Sequence, residues 1–430
     1  MSFFAHRAVM FGLQAAAASY LLKTTDFANV TPATDVPDGT ILDTVAEGFD
    51  VGELEVYDKT GFTSVDITTS GIEIERTASS GGVGLRVPSA NPANLVRVKG
   101  RVFAVEWNLV SSADIGPHVN VTIEDVNTTP AASRKIQTTL YDGNLLAIIY
   151  PDSVAPYSIT AEQVAVGDTI KQWLVFGDDD LIIFIKKNLG GITLKGIFPL
   201  YSSITDYYTW IYEYSRAKFR VQDITITETL YPELLEPTVK DTFDEIDGTN
   251  ITAHETDTGQ QWSQDLGNDG FITVNSNEVR IADSASANLA TFDSSLNDFC
   301  ATFNWDIRGG NSGGATFRGS DANNYFIAQC NQSLNNLEIY EKTSGSFALR
   351  AGSSMTINTN STGNASLMCV DDSIVFYANG DVDSASVSYS SSSKKTNTRF
   401  GVTSGTYFAY GNLEIHDAND AAKSAILEAI

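Results

Sequence analysis

The chain has 430 residues, with Lys+Arg 27 against Asp+Glu 53 and a formal net charge of −26. The acidic excess is shared, 17 − 29 = −12 over residues 1–236 and 10 − 24 = −14 over 237–430. Neither half offers a basic surface that tracks phosphates, so nucleic acid is excluded as a partner. The acidity reads instead as a solubility device suited to a salty medium.

In chain order, Ala8–Leu22 comes first, apolar except for Gln14 and Ser19 and preceded by His6 and Arg7. Two readings of it stand. One is a secretory signal peptide. The other, favoured because Ala, Leu, Met and Gln dominate it, is a retained helix over 1–24 that serves anchoring or assembly. A helix apolar nearly all round is expected to bury itself against its own domain or a sister subunit. Residues 25–40, rich in Thr, Pro, Asp and Gly, read as a linker.

From 41 to 230 short runs alternate with period two, as in Ile72/Ile74 and Val119/Val121/Ile123. They are separated by turn residues such as Gly177-Asp178-Asp179-Asp180. This is the pattern of a β-sandwich or jelly roll. Residues 231–238 hold two prolines and predict an extended connector. A second sandwich spans 239–417, with Val279/Ile281, Phe303/Trp305/Ile307 and Ile374/Phe376 alternating. Within it, Ser390–Lys395 reads as an exposed loop. Residues 418–430 predict a short helix capped by Asp417 or Asn419. The expected class is all-β, two tandem antiparallel sandwiches with a helix at each end.

The two sandwiches echo each other. Asp43-Thr44-Val45 recurs as Asp241-Thr242-Phe243, and Trp107 as Trp305, each at an offset of 198 (241 − 43, 305 − 107). Phe219–Ile226 is matched by Phe408–Ile415 at an offset of 408 − 219 = 189. In both late copies the apolar residues change parity, Phe219/Val221 to Ile224/Ile226 and Phe408/Tyr410 to Leu413/Ile415. A parity change within one strand predicts a β-bulge in each. Cys300, Cys330 and Cys369 fit no metal spacing and leave one thiol over, so buried free thiols are expected. The histidines (His6, His118, His254, His416) are too scattered for a metal site.

The opening Asp241-Thr242-Phe243, with Asp247-Gly248-Thr249 and Thr252-Ala253-His254, resembles the start of laminin-G/concanavalin A-like jelly rolls. The stretches Phe317-Arg318-…-Asp321-…-Asn324-Tyr325 and Ile374–Gly380 resemble two hairpins of the same group. The resemblance covers about residues 239–417 and implies the jelly-roll fold found in secreted bacterial and phage virion proteins. It implies little about function, because that fold hosts binders, enzymes and scaffolds alike.

Laminarinase-like enzymes of this fold need Glu-x-Asp-x-x-Glu on one strand. Glu245-Ile246-Asp247 begins that pattern, but no second glutamate follows and the position is a turn. No catalytic residue is therefore assigned. No cofactor is expected either, although Asp178, Asp179 and Asp180 and the pair Asp371 and Asp372 offer the hard oxygens that Ca²⁺ takes. Solvated acidic turns are the plainer reading. The unusual surface candidate is Tyr208, Trp210, Tyr212 and Tyr214, which share one face of a strand. The echo sets Ile211 opposite Phe400, which turns Ile211 inward and the stripe outward, towards a sugar or a partner protein. If the alignment is off by one, the stripe is core.

The expectation is a non-enzymatic virion protein of a tailed phage, a fibre, tail or capsid-decoration subunit on the virion surface. It would dock to other virion subunits through the N-terminal helix, form a homo-oligomer (a trimer if a fibre), and bind a host-cell glycan. The alternative is a secreted or cell-surface carbohydrate-binding protein, and a glycan-degrading enzyme comes third.

Overall fold

The computed structural model describes residues 21–24, 32–37, 41–42, 54–57, 63–77, 83–86, 100–112, 119–125, 135–141, 143–150, 157–177, 180–199, 207–213, 217–227, 232–266, 272–281, 288–307, 312–358, 360–380, 383–404 and 408–430. The chain divides into two compact units. Unit 1 comprises Met1–Thr193, Phe198–Leu235 and Asp420–Ile430; unit 2 comprises Leu194–Ile197 and Glu236–Asn419. Each is an antiparallel sandwich of two sheets.

In unit 1, one sheet runs β14 (Ile192–Pro199), β13 (Asp180–Lys187), β12 (Thr169–Phe176), β7 (Arg101–Ser112), β16 (Ala217–Thr227), β5 (Gly71–Arg76) and β4 (Thr63–Thr68). A further strand, β1 (Leu21–Thr24), also pairs with β16. The other sheet runs β11 (Tyr157–Gln163), β10 (Asn144–Tyr150), β9 (Lys135–Tyr141), β8 (Val119–Asp125), β15 (Tyr207–Glu213), β6 (Val83–Arg86), β3 (Leu54–Tyr57) and β2 (Ile41–Leu42).

Unit 2 repeats that plan. Its first sheet runs β30 (Ser384–Ser390), β29 (Ser373–Asn379), β28 (Thr362–Val370), β23 (Phe299–Ile307), β32 (Phe408–Asp417), β21 (Val279–Ile281), β20 (Ile272–Val274) and β18 (Thr249–Asn250). Here β17 (Val239–Asp241) pairs with β32 as β1 pairs with β16. Its second sheet runs β27 (Ser346–Ser354), β26 (Asn336–Thr343), β25 (Asn324–Asn331), β24 (Ser312–Asp321), β31 (Arg399–Ser404), β22 (Asn288–Asp293) and β19 (Ser263–Leu266). The two orders correspond except for β18 and β2, which have no counterpart, so the late part of the sequence echo is a repeat of topology; Asp43–Val45 lies outside the described residues.

The predicted bulges are present in both copies. In β16, Val221 stands opposite Trp107 and Asp223 opposite Glu106, which leaves Gln222 as the extra residue. In β32, Gly411 stands opposite Asn304 and Glu414 opposite Thr302, so Asn412 and Leu413 share Phe303. Asn412 adopts φ 48°, a left-handed conformation that asparagine tolerates better than most residues. The parity change keeps apolar side chains inward on both sides of each bulge: Phe219, Val221 and Ile224, like Phe408, Tyr410, Leu413 and Ile415, are buried. Trp107 and Trp305 are buried at equivalent places on β7 and β23. Gly363, opposite Trp305, has to be glycine, because a Cβ there would lie 1.8 Å from the Asn379 carbonyl oxygen and 2.7 Å from the Trp305 ring. All three cysteines are buried and none forms a disulfide.

Several boundaries differ from the sequence reading. Leu21 and Leu22, placed at the end of the N-terminal helix, lie in β1; residues 1–20 lie outside the described residues. Part of the 25–40 linker extends a sheet, with the Val36 amide donating to the Val65 carbonyl at 2.8 Å and Ala33 bridging to Ile67. Pro232–Leu235 is a short helix, α1, rather than extended chain. Proline suits the first helical position, where its missing N–H has no partner to lose, and Leu234 is fully buried. The C-terminal helix, α2 (Ala421–Ala429), is capped by Asp420, whose carboxylate accepts from the Ala422 and Lys423 amides. Asp417 instead caps the preceding turn by accepting from the Asn419 amide at 2.9 Å. Ser390–Lys395 is no free loop: Ser393 and Lys394 bond to Glu341 of β26.

Both faces of β12 and β13 are buried, Leu174 and Ile183 on one, Trp173, Val175, Ile182 and Phe184 on the other. Lys186 shares the second face and reaches Glu428 of α2 at 2.5 Å, and Leu427 of α2 is fully buried. In unit 2 the core lies between its sheets, around Phe243, Trp262, Phe292, Phe299, Phe317, Phe326, Phe376 and Phe400. Some rings meet edge to face, as Trp262 and Phe292 do at 4.7 Å and 71°, and others stack, as Phe317 and Phe326 do at 5.5 Å and 18°.

Candidate functional site

The predicted aromatic stripe lies on β15, in the middle of a sheet. Residues directly opposite on paired strands share a face, and neighbours along a strand alternate. The ladder through Ile211 runs Val56, Leu85, Ile211, Val121, Thr138, and both Val56 and Thr138 are buried. The ladder through Trp210 runs Glu55, Arg86, Trp210, Thr122, Gln137, Ile148, Ser158. That through Tyr212 runs Tyr57, Gly84, Tyr212, Asn120, Thr139, Leu146, Thr160. Tyr208 pairs with Glu124, which continues to Lys135 and Tyr150. The strand register thus groups Tyr208, Trp210 and Tyr212 with polar, amide and aromatic residues, apart from the ladder that holds the buried Val56 and Thr138. Tyr214 lies outside the described residues.

The matching positions in unit 2 carry different chemistry. Tyr212, between Gly84 and Asn120, corresponds to Gly401, between Thr291 and Thr316. A Cβ on Gly401 would lie 2.1 Å from the Ala290 carbonyl oxygen, so no side chain fits. Trp210 corresponds to Arg399, which donates to Asp265 at 2.9 Å and to the Ser263 hydroxyl at 2.8 Å. Further along this face Leu289, Tyr325 and Ile327 form a small apolar cluster, with Ala322 and Tyr340 packed against it. The Lys342 ammonium sits 5.1 Å from the Tyr325 ring centroid and 4.9 Å from that of Phe347, and donates to the Ala322 carbonyl at 2.8 Å. Burial pulls the Lys342 pKa below its usual value despite Asp321 nearby. Phe347 and Leu349, on the edge strand β27, are 52% and 54% exposed. Glu338, almost fully buried, accepts from Gln329 at 2.8 Å and Asn331 at 2.9 Å. The sequence reading missed this group, although Tyr325-x-Ile327 and Tyr340-x-Lys342 carry the alternation that would have flagged it.

The acidic turns are placed as follows. Asp371 and Asp372 form the β28–β29 turn and face Lys395 at 3.1 and 3.4 Å. Asp371 also donates its amide to Asp298 and accepts Arg318 Nη2 at its carbonyl. The hydrogen bond to Asp371 raises the Lys395 pKa. The two carboxylates thus share one lysine, and among the described residues no group of three or more His, Cys, Asp or Glu is arranged to hold a metal. Asp180 closes its turn by accepting the Gly177 amide at its carbonyl, 2.7 Å away; Asp178 and Asp179 lie outside the described residues. Asp321 accepts from the Asn323 amide and the Asn324 side chain, an Asx turn. Glu245 and Asp247 lie in the loop before β18, flanking an Ile246 that is 82% exposed, and Asp247 accepts the Ser276 amide.

Asp241, which opens both the echo and the resemblance, proves to be the hub of a buried network. Its carboxylate, fully buried, accepts from His254 Nε2 at 2.9 Å, Trp262 Nε1 at 2.8 Å and the Phe243 amide at 3.0 Å. Phe243 needs that bond, since it is held at φ 52°. Burial alone would lower the His254 pKa, but Asp241, helped by Glu245 with its Oε1 3.7 Å from Nδ1, raises it overall. Glu341 behaves alike. Burial raises its pKa, yet Lys394, Ser393 and Arg350 bring it down to about 2. The Asp241 carboxylate and Glu341 are each met by several donors, whereas His254 Nδ1 is buried without a hydrogen-bond partner, Glu245 lying 3.7 Å away.

No family model and no curated protein matches this chain. Among solved structures it is similar to the carbohydrate-binding module CBM66 from Bacillus subtilis, at 17% identity and TM-score 0.31, over 36% of this chain and 95% of that one. It is similar to the legume lectin-like domain from Entamoeba histolytica at 11% identity and TM-score 0.32, over 45% and 99%. To peanut lectin the values are 10% and 0.32, over 47% and 99%. Likenesses this weak carry no argument about the chain. Its own sheet topology shows two tandem antiparallel β-sandwiches.

Proposed function

We propose that this is a non-enzymatic glycan-binding protein, with its ligand face on the first sandwich around Tyr208, Trp210 and Tyr212. One observation carries the reading: the strand register separates these three residues from the buried ladder and groups them with Asn120, Thr122, Gln137 and Thr139. Aromatic rings stack on the C–H faces of sugars while amides and hydroxyls bond their hydroxyl groups, which is the usual division of labour in a small-molecule site. A glycan array comparing wild type with Trp210→Ala tests it. Loss of the wild-type signal in the variant supports the stripe, and an unchanged signal removes it.

Two finer points belong to the same proposal. Assignment to the surface of a tailed-phage virion rests on the tandem sandwiches and the apolar segment Ala8–Leu22. A stoichiometric copy number in purified particles tests it against a secreted binding protein, for which a mature N-terminus near Ala18 is the mark. Absence of catalysis rests on the loop position of Glu245 and Asp247. Turnover on a glycan panel would overturn it.

A further inference from the structure

We infer that His254 and Glu245 form a proton-operated latch on the turn before β18. An imidazole protonated on both nitrogens holds Glu245 and fixes the turn, and loss of the Nδ1 proton lets the turn go. The latch lies wholly within unit 2 and is independent of any glycan.

His254 follows a single helical turn, Ile251–Ala253, and is 1% exposed. Its Nε2 lies 2.9 and 3.0 Å from the two Asp241 oxygens. That carboxylate also accepts Trp262 Nε1–H and the Phe243 amide, both donors only, so it stays ionised and the Nε2 hydrogen belongs to the imidazole. Nε2 is thereby committed, and Nδ1 is left to gain or lose a proton. Nδ1 is buried without a hydrogen-bond partner, and Glu245 Oε1 stands 3.7 Å from it. When Nδ1 is bare, its lone pair faces a carboxylate and neither can donate. When it carries hydrogen, a small approach of Glu245 makes a charge-assisted hydrogen bond. The Glu245 side chain is 44% exposed and can make that approach, whereas His254 is held in the core.

Asp241 from β17 and Glu245 from the turn are the charged groups that face the imidazole, and the Phe243 ring packs beside it at 5.5 Å. Asp257 is taken up by the Thr242 amide and hydroxyl, and Asp244 and Glu255 are exposed. Burial opposes the imidazolium, but Asp241 and then Glu245 outweigh it. The proton is therefore held above the usual value of about 6.5 and released as pH climbs through the raised one.

The far end of the turn is tied down separately. Asp247 accepts the Ser276 amide at 2.6 Å, and the Gly248 amide donates to the Val274 carbonyl at 2.8 Å. Glu245 is thus the handle for the stretch between Phe243 and Asp247, where Ile246 is 82% exposed. Latched, the turn presents Ile246 in one place; unlatched, Ile246 moves with it.

The test uses the intact protein and side-chain ¹⁵N spectra of its four histidines, with His254 assigned from the signal lost in His254→Gln. Nδ1 of His254 should titrate with a midpoint above about 6.5, while Nε2 stays protonated throughout. Over the same interval, exchange of the 244–248 amides, corrected for its intrinsic pH dependence, should quicken about tenfold more than that of β23 and β32. Glu245→Ala should lower the midpoint and leave the turn loose at every pH. Glu245→Gln, whose amide can donate to a bare Nδ1, should instead keep the turn protected at high pH. A midpoint unmoved by Glu245→Ala overturns the latch. Turn exchange that quickens only in step with β23 and β32 overturns it too, since it would report stability lost throughout unit 2.

Discussion

The two sandwiches share most of their strand order and the bulge in the last strand, yet the residues on the ladders flanking the buried one differ between them. Unit 1 has Trp210 and Tyr212 where unit 2 has Arg399 and Gly401, and Thr139 where unit 2 has Ile327. In unit 2 the residues on that face satisfy one another, Arg399 with Asp265, Lys342 with Ala322 and two rings, Glu338 with two amides. The inward face, by contrast, keeps a buried tryptophan at the same place in both, Trp107 and Trp305. A repeat can hold its fold through the inward ladders while the outward ladders diverge, because a side chain on one parity does not enter the packing of the other.

That comparison can be broken at several points, and the largest effect is expected at Asp241. Asp241→Ala would leave His254, Trp262 and the Phe243 amide without their buried partner, a loss of about 3–5 kcal/mol. Hydrogen exchange should then quicken through β23 and β32 while β7 and β16 keep their protection; equal quickening in both would show that the units do not open separately. Next comes Leu427→Ala, at about 2–5 kcal/mol for a fully buried leucine. Although α2 follows unit 2 in the chain, its effect should register in β12 and β13 of unit 1. A response confined to unit 2 would undo that assignment of the helix.

Acidity separates the units more gently. The pKa of His254 is raised in the fold, so its pairing with Asp241 contributes fully below the unfolded value of about 6.5 and fades as pH climbs through the raised folded value. Exchange protection in unit 2 should therefore fall over that interval, and His254→Gln should flatten the profile. The smallest effect is expected for Asp420→Ala, about 1 kcal/mol from loss of the α2 cap, read from helix amides by exchange.

Local patterns were the legible part of this chain. Alternation marked Ile72/Ile74 and Val279/Ile281 as strands, and the parity change near Val221 and Tyr410 marked the bulges, because both signals lie within a few residues. Partners far along the chain were not legible. Lys394 finds Glu341 across the fold, which ties down a serine-rich stretch whose composition reads as free loop. Asp241 finds His254 and Trp262 only once two loops close over it. Pro232 reads as a stiffener of extended chain, but the burial of Leu234 made it the start of a helix turn.

By itself, then, the sequence determined that there are two sandwiches, where their last strands fall, and that Tyr208, Trp210 and Tyr212 lie on one side of theirs. Period-two alternation defines two faces of a strand without saying which one packs. Only the tertiary pairing groups residues across strands, setting Ile211 on the ladder that holds the buried Val56 and Thr138 and Trp210 on its neighbour. The physical reason is that inward and outward are properties of the neighbouring sheet, set by strands more than 150 residues apart such as β3 and β15, and no stretch of chain carries that information alone.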